Sequence, residues 1–184
     1  ACRQLAGWRQ AGVGPQRIGV NVSVHQLRST GLPGHVQLCL QRHGLPADGL
    51  VLEITESAAM AQPEQSIRCL QALRVLGVNL SIDDFGTGYS SLAYLKLLPI
   101  QSLKLDRSFV RDLERDDNDA AICAATLALA RTLGLRSVAE GVETEGQRRF
   151  LVAQGCTLLQ GYLFGRPEPA AHWTARWRAA PDAA

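Results

Sequence analysis

The sequence predicts an α/β fold, a modified TIM-like (βα)8 barrel with about six of its eight strands present. Two observations predict this architecture. Short apolar runs alternate along the chain with longer amphipathic segments, as in folds built on a parallel sheet. Each apolar run also ends on a polar or acidic residue, and these ends recur at roughly the interval of one βα unit, about 30 residues. In an α/β barrel such ends meet at one mouth, where catalytic groups lie.

The predicted strands are apolar on both faces. This pattern lacks the clean alternation of a half-exposed sheet and is typical of parallel strands that are covered on both sides. The predicted strands cover residues 18–21, 50–56, 80–84, 102–106, 137–140 and 158–160.

Capping residues mark the helices between these strands. Pro63 occupies a first-turn position, and Gly77 ends the same amphipathic segment. Thr144 and Gln147 have the spacing of a capping box. Acidic residues at 116–119 precede a helix predicted over residues 120–133. The predicted order is α-β-α-β-α-β, a loop with a short helix, then β-α-β-α-β and a tail.

Composition and charge restrict the class of protein. The chain has 184 residues, of which 46% are hydrophobic and 20% charged, as in one globular domain. Its net charge of +2 gives no reason to expect DNA or an anionic membrane as a partner. No apolar stretch approaches the roughly 20 residues of a membrane span, and no signal-peptide pattern is visible. The five cysteines lack metal-ligand spacing, which favours a reducing, cytoplasmic location.

The chain begins as though inside a helix, because no capping residue precedes its first amphipathic segment. We therefore expect a piece of a longer protein, with about two βα units, roughly 60 residues, upstream. Residues 1–170 are assigned to the barrel domain. Residues 171–184 are predicted to form a tail in which Trp173 and Trp177, one helical turn apart, help a short helix to cover the barrel.

Adjacent carboxylates at Asp83 and Asp84 are the strongest local sign of chemistry. Two such charges at the end of an apolar strand repel each other unless a cation is present. A pair of Mg²⁺ or Mn²⁺ ions about 3.5–4 Å apart would suit them, with one carboxylate bridging the ions. Gly86 and Gly88 permit a sharply turned loop over the site. The alternative is an acidic helix N-cap followed by an ordinary surface loop.

Two further strand ends carry charged residues at short spacing. In an extended segment Glu53 would point into the mouth and Glu56, three residues on, would bond to a neighbouring loop. The alternative makes one of them a helix N-terminal acid. Lys104 and Asp106 are two apart and would share a face of the fourth strand. Lys104 could orient a water or offset charge on a phosphate, or it could simply pair with Asp106.

Polar residues at the remaining strand ends extend this set. Glu140 and Glu143 repeat the three-residue acidic spacing. Asn21 offers a neutral oxygen to a cation, and Gln160 offers an amide. Because buried charges are expensive unless they are paired or bound to metal, a purely structural role for the whole set is disfavoured. The oxygen-only ligands favour Mg²⁺ or Mn²⁺ over zinc.

These motifs together resemble the ordered motifs of the EAL-type cyclic di-GMP phosphodiesterases, over nearly the whole chain to about Pro169. The resemblance rests on Asn21-Val-Ser23, Glu53-Ile-Thr-Glu56, Asp83-Asp-Phe-Gly-Thr-Gly-Tyr-Ser-Ser91, Lys104-Leu-Asp106, Ala139-Glu-Gly-Val-Glu143 and Gln160-Gly-Tyr162. It implies a bacterial signalling domain that hydrolyses cyclic di-GMP to linear pGpG. The implied fold is a modified eight-stranded barrel with one antiparallel strand.

The resemblance also implies roles for individual residues. The metal site with its two ions would include Asn21, Glu53, Asp83, Asp84 and Glu140. Lys104 would help to hold the hydrolytic water. The other catalytic residues would be Glu53, Asp83 and Glu140. The substrate would be contacted by Gln160, Asp106 and Glu143. Glu56 would steady the loop at residues 85–91, which in the family couples the site to homodimerisation.

One departure concerns the Glu-Ala-Leu signature of the family, which would precede Ala1 and is not in this sequence. Its glutamate is a metal ligand in the family. Loss of even a group that supports a metal ligand typically lowers metal affinity or activity 10–100-fold. We therefore expect these residues alone to be inactive and prone to associate through open sheet edges, whereas the parent domain is active. Two alternatives are a degenerate module that senses cyclic di-GMP without cleaving it and an unrelated barrel hydrolase. The parent is expected to carry sensory or diguanylate-cyclase-like domains, and a membrane anchor is compatible with it.

Overall fold

The sheet has the strand order of a barrel wall. A computed structural model describes residues 1–88 and 92–179 of the chain. Within them six strands lie side by side in chain order, and every neighbouring pair is parallel. A sheet that never reverses its strand order is built like an α/β barrel and unlike a doubly wound sheet, which confirms the predicted class. The strands are β1 (Ile18–Val22), β2 (Leu50–Thr55), β3 (Asn79–Phe85), β4 (Ser102–Leu105), β5 (Arg136–Ala139) and β6 (Leu158–Leu159).

Helices alternate with these strands. The connection from β1 to β2 contains two helices and a 3₁₀ turn at Ala47–Gly49, where the sequence predicts one helix. The helices are α1 (Cys2–Gln10), α2 (Val24–Arg28), α3 (Leu32–His43), α4 (Glu56–Met60), α5 (Pro63–Val75), α6 (Leu92–Leu95), α7 (Arg107–Asp112), α8 (Asp117–Thr132), α9 (Glu145–Ala153) and α10 (Ala170–Ala179).

Two helices have the boundaries that their capping residues predict. α5 starts at Pro63 and ends just before Gly77, whose φ of 92° lies in the left-handed region that favours glycine. At the start of α9, Thr144 and Gln147 form the predicted capping box, in which each side chain bonds the other residue's backbone N–H. Local sequence signals therefore set these helix ends.

Helix α8 begins earlier than the sequence predicts. Its first residue is Asp117 instead of Ala120. The Asp116 side chain accepts a hydrogen bond from the Asn118 N–H at 2.8 Å and so caps the helix. The acidic residues at 116–119, which the sequence places just before the predicted helix, therefore form its cap and first turn.

The core lies between the central strands and the helices. Strands β3 and β4 are buried almost throughout, with side chains such as Leu80 and Leu103 fully buried. Burial alternates in β2, where Leu52 is buried and Glu53 is half-buried. On β1, Asn21 is exposed. The face that carries Asn21 and Glu53 is therefore accessible to a ligand at this edge of the sheet.

The C-terminal helix packs against the first helix of the chain. α10 forms where the sequence predicts a short helix. The Trp8 indole N–H donates to the Thr174 hydroxyl at 2.7 Å, and the Trp8 and Trp177 rings meet edge-on with centroids 5.1 Å apart. Such aromatic pairs contribute about 0.5–1.5 kcal/mol beyond their buried area. Of the predicted tail, residues 180–184 lie outside the described residues.

The described residues contain five free cysteines. Burial raises the pKa of the Cys123 thiol to about 12. This thiol therefore stays protonated at neutral pH and packs as a small apolar side chain. In the same part of the chain, no helix combines the length and hydropathy that crossing a membrane requires.

Candidate functional site

Lys104 lies between three carboxylates at the carboxyl end of the sheet. Its Nζ atom is 2.7 Å from Glu53 Oε2, 3.0 Å from Asp83 Oδ1 and 2.6 Å from Glu140 Oε1. These residues belong to, or directly follow, four adjacent strands, so parallel pairing brings them together. Only 7% of the Lys104 side chain is exposed. The structure thus assembles a buried charge cluster from residues that are distant in sequence.

The ammonium group of Lys104 compensates negative charge that would be costly to bury alone. Burial by itself lowers the pKa of Lys104, but hydrogen bonds to the three carboxylates outweigh burial and raise the pKa above its ordinary value. An ammonium group has three N–H donors, matching the three carboxylates in contact. Lys104 therefore holds the position of a cation among its acidic neighbours.

Asp84 has a left-handed backbone conformation within β3. Its φ is 54°, the one positive value among the described non-glycine residues, and the pairing of β3 with β4 shifts register between Ile82 and Phe85. Aspartate tolerates this conformation better than most residues. In a regular strand two successive carboxylates would point to opposite faces, and this irregularity lets both approach Glu140. Because the strand continues to Phe85, the alternative of a helix N-cap at Asp84 is wrong.

Asp83, Asp84 and Glu140 form an acidic group that could hold a cation. One carboxylate oxygen from each lies within 4.8 Å of the other two. Burial, followed by the charges of Asp83 and Asp106, raises the pKa of Asp84. Burial also raises the pKa of Glu140, although Lys104 opposes it. A hard divalent cation would relieve these costs, and carboxylate oxygens are the ligands that Mg²⁺ and Mn²⁺ prefer, so the donor set fits these ions.

Glu53 and Asn21 lie side by side on adjacent strands. They are register partners across β1 and β2, and both line a cavity of about 530 Å³ together with Thr55 and Ser57. A Cβ atom at Gly19 would overlap the Glu53 carboxylate, so the missing side chain leaves the space that this glutamate occupies. Sequence reasoning missed Gly19, because only the pairing of the two strands reveals the contact.

Glu56 bonds to the loop that follows β3, and it does so from the first turn of a helix. The Glu56 carboxylate accepts a hydrogen bond from the Gly86 N–H at 2.8 Å. It also packs on Gly88, where a Cβ would lie 2.7 Å from Oε1. The Thr55 hydroxyl accepts a hydrogen bond from the Ala58 N–H and caps α4. Because the chain turns at Thr55, the expectation of one extended segment from Glu53 to Glu56 is wrong.

Asp106 lies beyond β4 and caps α7. Its carboxylate accepts hydrogen bonds from the Ser108 N–H and hydroxyl groups. Burial acts to raise the pKa of Asp106, but the bonds from Ser108 outweigh it and lower the pKa. Asp106 therefore does not share a strand face with Lys104. The alternative of a Lys104–Asp106 ion pair is also wrong, since the contacts of Lys104 are to three other carboxylates.

Glu143 and Gln160 lie close to the end of β5. Glu143 is exposed, and its backbone N–H donates to the Gln147 side chain at 2.7 Å. Gln160 is exposed as well, and its backbone N–H donates to the Ala139 carbonyl oxygen at 2.8 Å. Among the described residues, neither of the two exposed side chains forms a hydrogen bond or ion pair with Asp83, Asp84 or Glu140.

Comparison with known proteins identifies the family. The sequence profile of the EAL domain family matches residues 1–167. The chain therefore belongs to the EAL domain family, which confirms the resemblance drawn from its motifs.

Two curated relatives are named for their activity. The chain is 52% identical over 170 residues to the bifunctional diguanylate cyclase/cyclic di-GMP phosphodiesterase MucR of Pseudomonas aeruginosa, covering 92% of this chain and 25% of MucR. It is 49% identical over 171 residues to the cyclic di-GMP phosphodiesterase NbdA of the same organism, covering 93% of this chain and 22% of NbdA. The chain thus spans about a quarter of the length of these relatives.

Solved structures of related domains have the same fold. The MucR phosphodiesterase in complex with cyclic di-GMP superposes with a TM-score of 0.90 at 51% identity, over 94% of this chain and 70% of that one. BlrP1 of Klebsiella pneumoniae, in complex with manganese and cyclic di-GMP, superposes with a TM-score of 0.80 at 35% identity, over 89% of this chain and 42% of that one. A second BlrP1 complex holds calcium and cyclic di-GMP.

Proposed function

We propose that this domain hydrolyses cyclic di-GMP to linear pGpG with the help of two divalent cations, Mg²⁺ or Mn²⁺. The observation that carries the proposal is the group of buried Asp83 and half-buried Asp84 and Glu140 at the carboxyl end of a parallel sheet, with Lys104 in contact with Asp83 and Glu140. Kinship with MucR and NbdA supports cyclic di-GMP as the substrate.

The residues proposed to hold the cations are Asn21, Glu53, Asp83, Asp84 and Glu140. When bound, divalent cations supply Lewis-acid polarisation of the phosphate and lower the pKa of a nearby water. The carboxylates would fix the positions of the cations, because each carboxylate is held at a strand end or, for Asp84, in the irregular last part of β3. The protein would thereby bring one phosphodiester group to a defined place above the sheet.

Lys104 is proposed to orient the attacking water. Its N–H donors are directed to carboxylates here, and those carboxylates would turn to the cations, which frees a donor for the water or a phosphate oxygen. The water oxygen forms a bond to phosphorus while the bond from phosphorus to the ribose 3′-oxygen breaks. The 3′-oxygen takes up a proton and becomes a hydroxyl group, and the 5′-phosphate remains on linear pGpG.

Further contacts and partners complete the proposal. Gln160, Asp106 and Glu143 are proposed to contact the substrate from the rim of the site. A homodimer is proposed to form through the loop after Asp84, of which residues 89–91 lie outside the described residues. Because MucR combines a cyclase and a phosphodiesterase, a cyclase-like or sensory domain is proposed in the parent protein.

Hydrolysis of cyclic di-GMP by the full-length natural protein that contains residues 1–184 tests the proposed function. With Mn²⁺ we expect chromatography to show conversion to pGpG, and with EDTA no conversion. Tight binding of cyclic di-GMP without any pGpG would contradict hydrolysis and favour the degenerate sensor. Cleavage of a generic aryl phosphodiester in preference to cyclic di-GMP would favour an unrelated hydrolase.

Replacing Glu56 with alanine is expected to lower turnover about 10–100-fold, the range for groups that support metal ligands. The Gly86 N–H would lose a charged acceptor that contributes about 1.5–3 kcal/mol, so the loop after Asp84 would be less fixed. Glu56→Gln keeps an oxygen that can accept this bond, and its turnover should lie between those of Glu56→Ala and the wild type. Glu64→Ala, at an exposed position of helix α5, serves as the control. Equal rates for Glu56→Ala and the control would show that the loop does not depend on this contact.

A further inference from the structure

Helix α3 carries a histidine and a cysteine on one face, one turn apart. The His35 Nε2 atom lies 3.6 Å from the Cys39 Sγ atom. Residues four positions apart in a helix are neighbours on its surface, and two histidines at this spacing bind zinc in a metalloprotease motif. His35 is exposed and Cys39 is half-buried, so a dissolved ion could reach both atoms. The spacing of the cysteines among themselves does not reveal this pair, because one partner is a histidine.

The distance between these two atoms suits a tetrahedral metal ion. Zn²⁺ binds imidazole nitrogen at about 2.0–2.1 Å and thiolate sulfur at about 2.3 Å, and tetrahedral angles then place the two ligand atoms about 3.5–3.6 Å apart. The His35 and Cys39 side chains therefore already have the separation that a bound ion would impose. The cation would replace the thiol proton, which passes to solvent, because the thiolate is the form that binds metal.

The pair lines a cavity of about 530 Å³ between α3, the start of α1 and the first two strands. This cavity adjoins the one above Glu53, since Asn21 and Gln26 line both. Among the described residues, those that line it include no carboxylate, and two of them, Arg3 and Arg42, carry positive charge. Mg²⁺ and Mn²⁺ prefer carboxylate oxygens and are therefore disfavoured here. An ion in this cavity would have to be held by directed bonds to nitrogen and sulfur.

We propose that His35 and Cys39 bind one thiophilic divalent cation such as Zn²⁺, with water in the remaining coordination positions. Imidazole and thiolate ligands favour such ions, whereas the oxygen ligands of Asp83, Asp84 and Glu140 favour Mg²⁺ or Mn²⁺. The domain would thus hold two kinds of metal site with different chemistry. This inference goes beyond the proposed function and does not depend on it, because neither ligand belongs to the acidic group.

Absorption spectra of the reduced full-length protein with Co²⁺ test this assignment. A cobalt–thiolate bond gives a charge-transfer band in the near ultraviolet, which oxygen and nitrogen ligands alone do not give. We expect the wild type to show this band and Zn²⁺ to remove it, since Zn²⁺ binds such ligands more tightly than Co²⁺. Cys39→Ser should lose the band. His35→Ala should weaken Co²⁺ and Zn²⁺ binding at least about 10–100-fold, the range for groups that merely support a metal ligand.

Matched variants separate this site from other cysteines, from a second histidine and from the acidic group. Cys69→Ser changes another half-buried cysteine in a helix and should keep the wild-type band and affinity. His43→Ala removes a histidine at the same four-residue spacing from Cys39. It should also keep both, because the contact that the structure shows is to His35. Asp83→Asn changes the oxygen-rich group and should leave the band in place.

Any of four results would overturn the inference. A wild type without the band would show that the two side chains form a hydrogen bond only. An unchanged band in Cys39→Ser would assign the band to another cysteine, and equal Zn²⁺ affinities for His35→Ala and the wild type would remove the histidine from the site. Loss of the band in Asp83→Asn would contradict a site separate from the acidic group. The spectra do not depend on hydrolysis of cyclic di-GMP, so failure of this inference leaves the proposed function untouched.

Discussion

Replacing Lys104 with methionine is expected to destabilise the metal-free protein by about 3–5 kcal/mol, the range for removing one partner of a buried ion pair. Methionine has a similar length but no charge, so Glu53, Asp83 and Glu140 would be left close together without compensation. Turnover should fall about 10²–10⁴-fold, because the group that orients the attacking water is also lost.

Chemical denaturation with and without Mn²⁺ measures the first effect. Cations would replace the missing positive charge, so Mn²⁺ should raise the free energy of unfolding more in Lys104→Met than in the wild type. Lys96→Met removes the one other lysine of the chain, which is exposed, and should change neither stability nor turnover. A Lys104→Met protein as stable as the wild type in EDTA would show that the carboxylates do not need the lysine.

Replacing Asp84 with asparagine is expected to separate stability from activity. Asparagine tolerates the left-handed conformation at this position as well as aspartate does, so the bend in β3 should persist. Removing the charge also removes the repulsion from Asp83 and Asp106. The free energy of unfolding in EDTA should therefore be unchanged or slightly higher. The affinity for Mn²⁺ and the turnover should fall by at least about 100-fold, since even supporting groups of a metal site contribute 10–100-fold.

The raised pKa of Asp84 also makes the stability of the protein depend on pH. A carboxyl group whose pKa is raised by folding stabilises the fold below its unfolded pKa, and this contribution is lost as pH rises through the folded pKa. Metal-free wild type should lose this contribution as the pH rises above the ordinary aspartate pKa and through the raised pKa of Asp84, and Asp84→Asn should lack that component. Asp112→Asn, at a half-exposed side chain that pairs with Arg111 away from the acidic group, is the charge-matched control. Retention of wild-type Mn²⁺ affinity in Asp84→Asn would remove Asp84 from the proposed ligand set.

The parts of the fold that sequence reasoning predicted depend on local signals. Helix α5 lies between Pro63 and Gly77 because a proline and a glycine restrict the backbone at those two positions. Residues within a few positions of one another carry that information. The apolar runs identified the strands in the same way, and strands in sequential order then implied where their ends would meet.

What sequence reasoning missed depends on contacts between distant segments or on which of two local signals prevails. The partners of Lys104 could not be read from the chain, because they come from three other strand ends. Thr55 and Asp106 have side chains suited to capping helices, and in both cases capping prevails over continuation of the strand. The irregular pairing at Asp84 depends on β4 as well as on β3.

The space above Gly19 has a consequence for how variants of this domain are classified. A single methyl group there would displace the Glu53 carboxylate while leaving the packing on the opposite, helix-covered side of β1 untouched. Natural sequences with alanine or serine at this position are therefore expected to fold normally and to have lost the glutamate's placement. The residue at the position of Gly19 could then identify inactive homologues in genome surveys even when every acidic motif is retained.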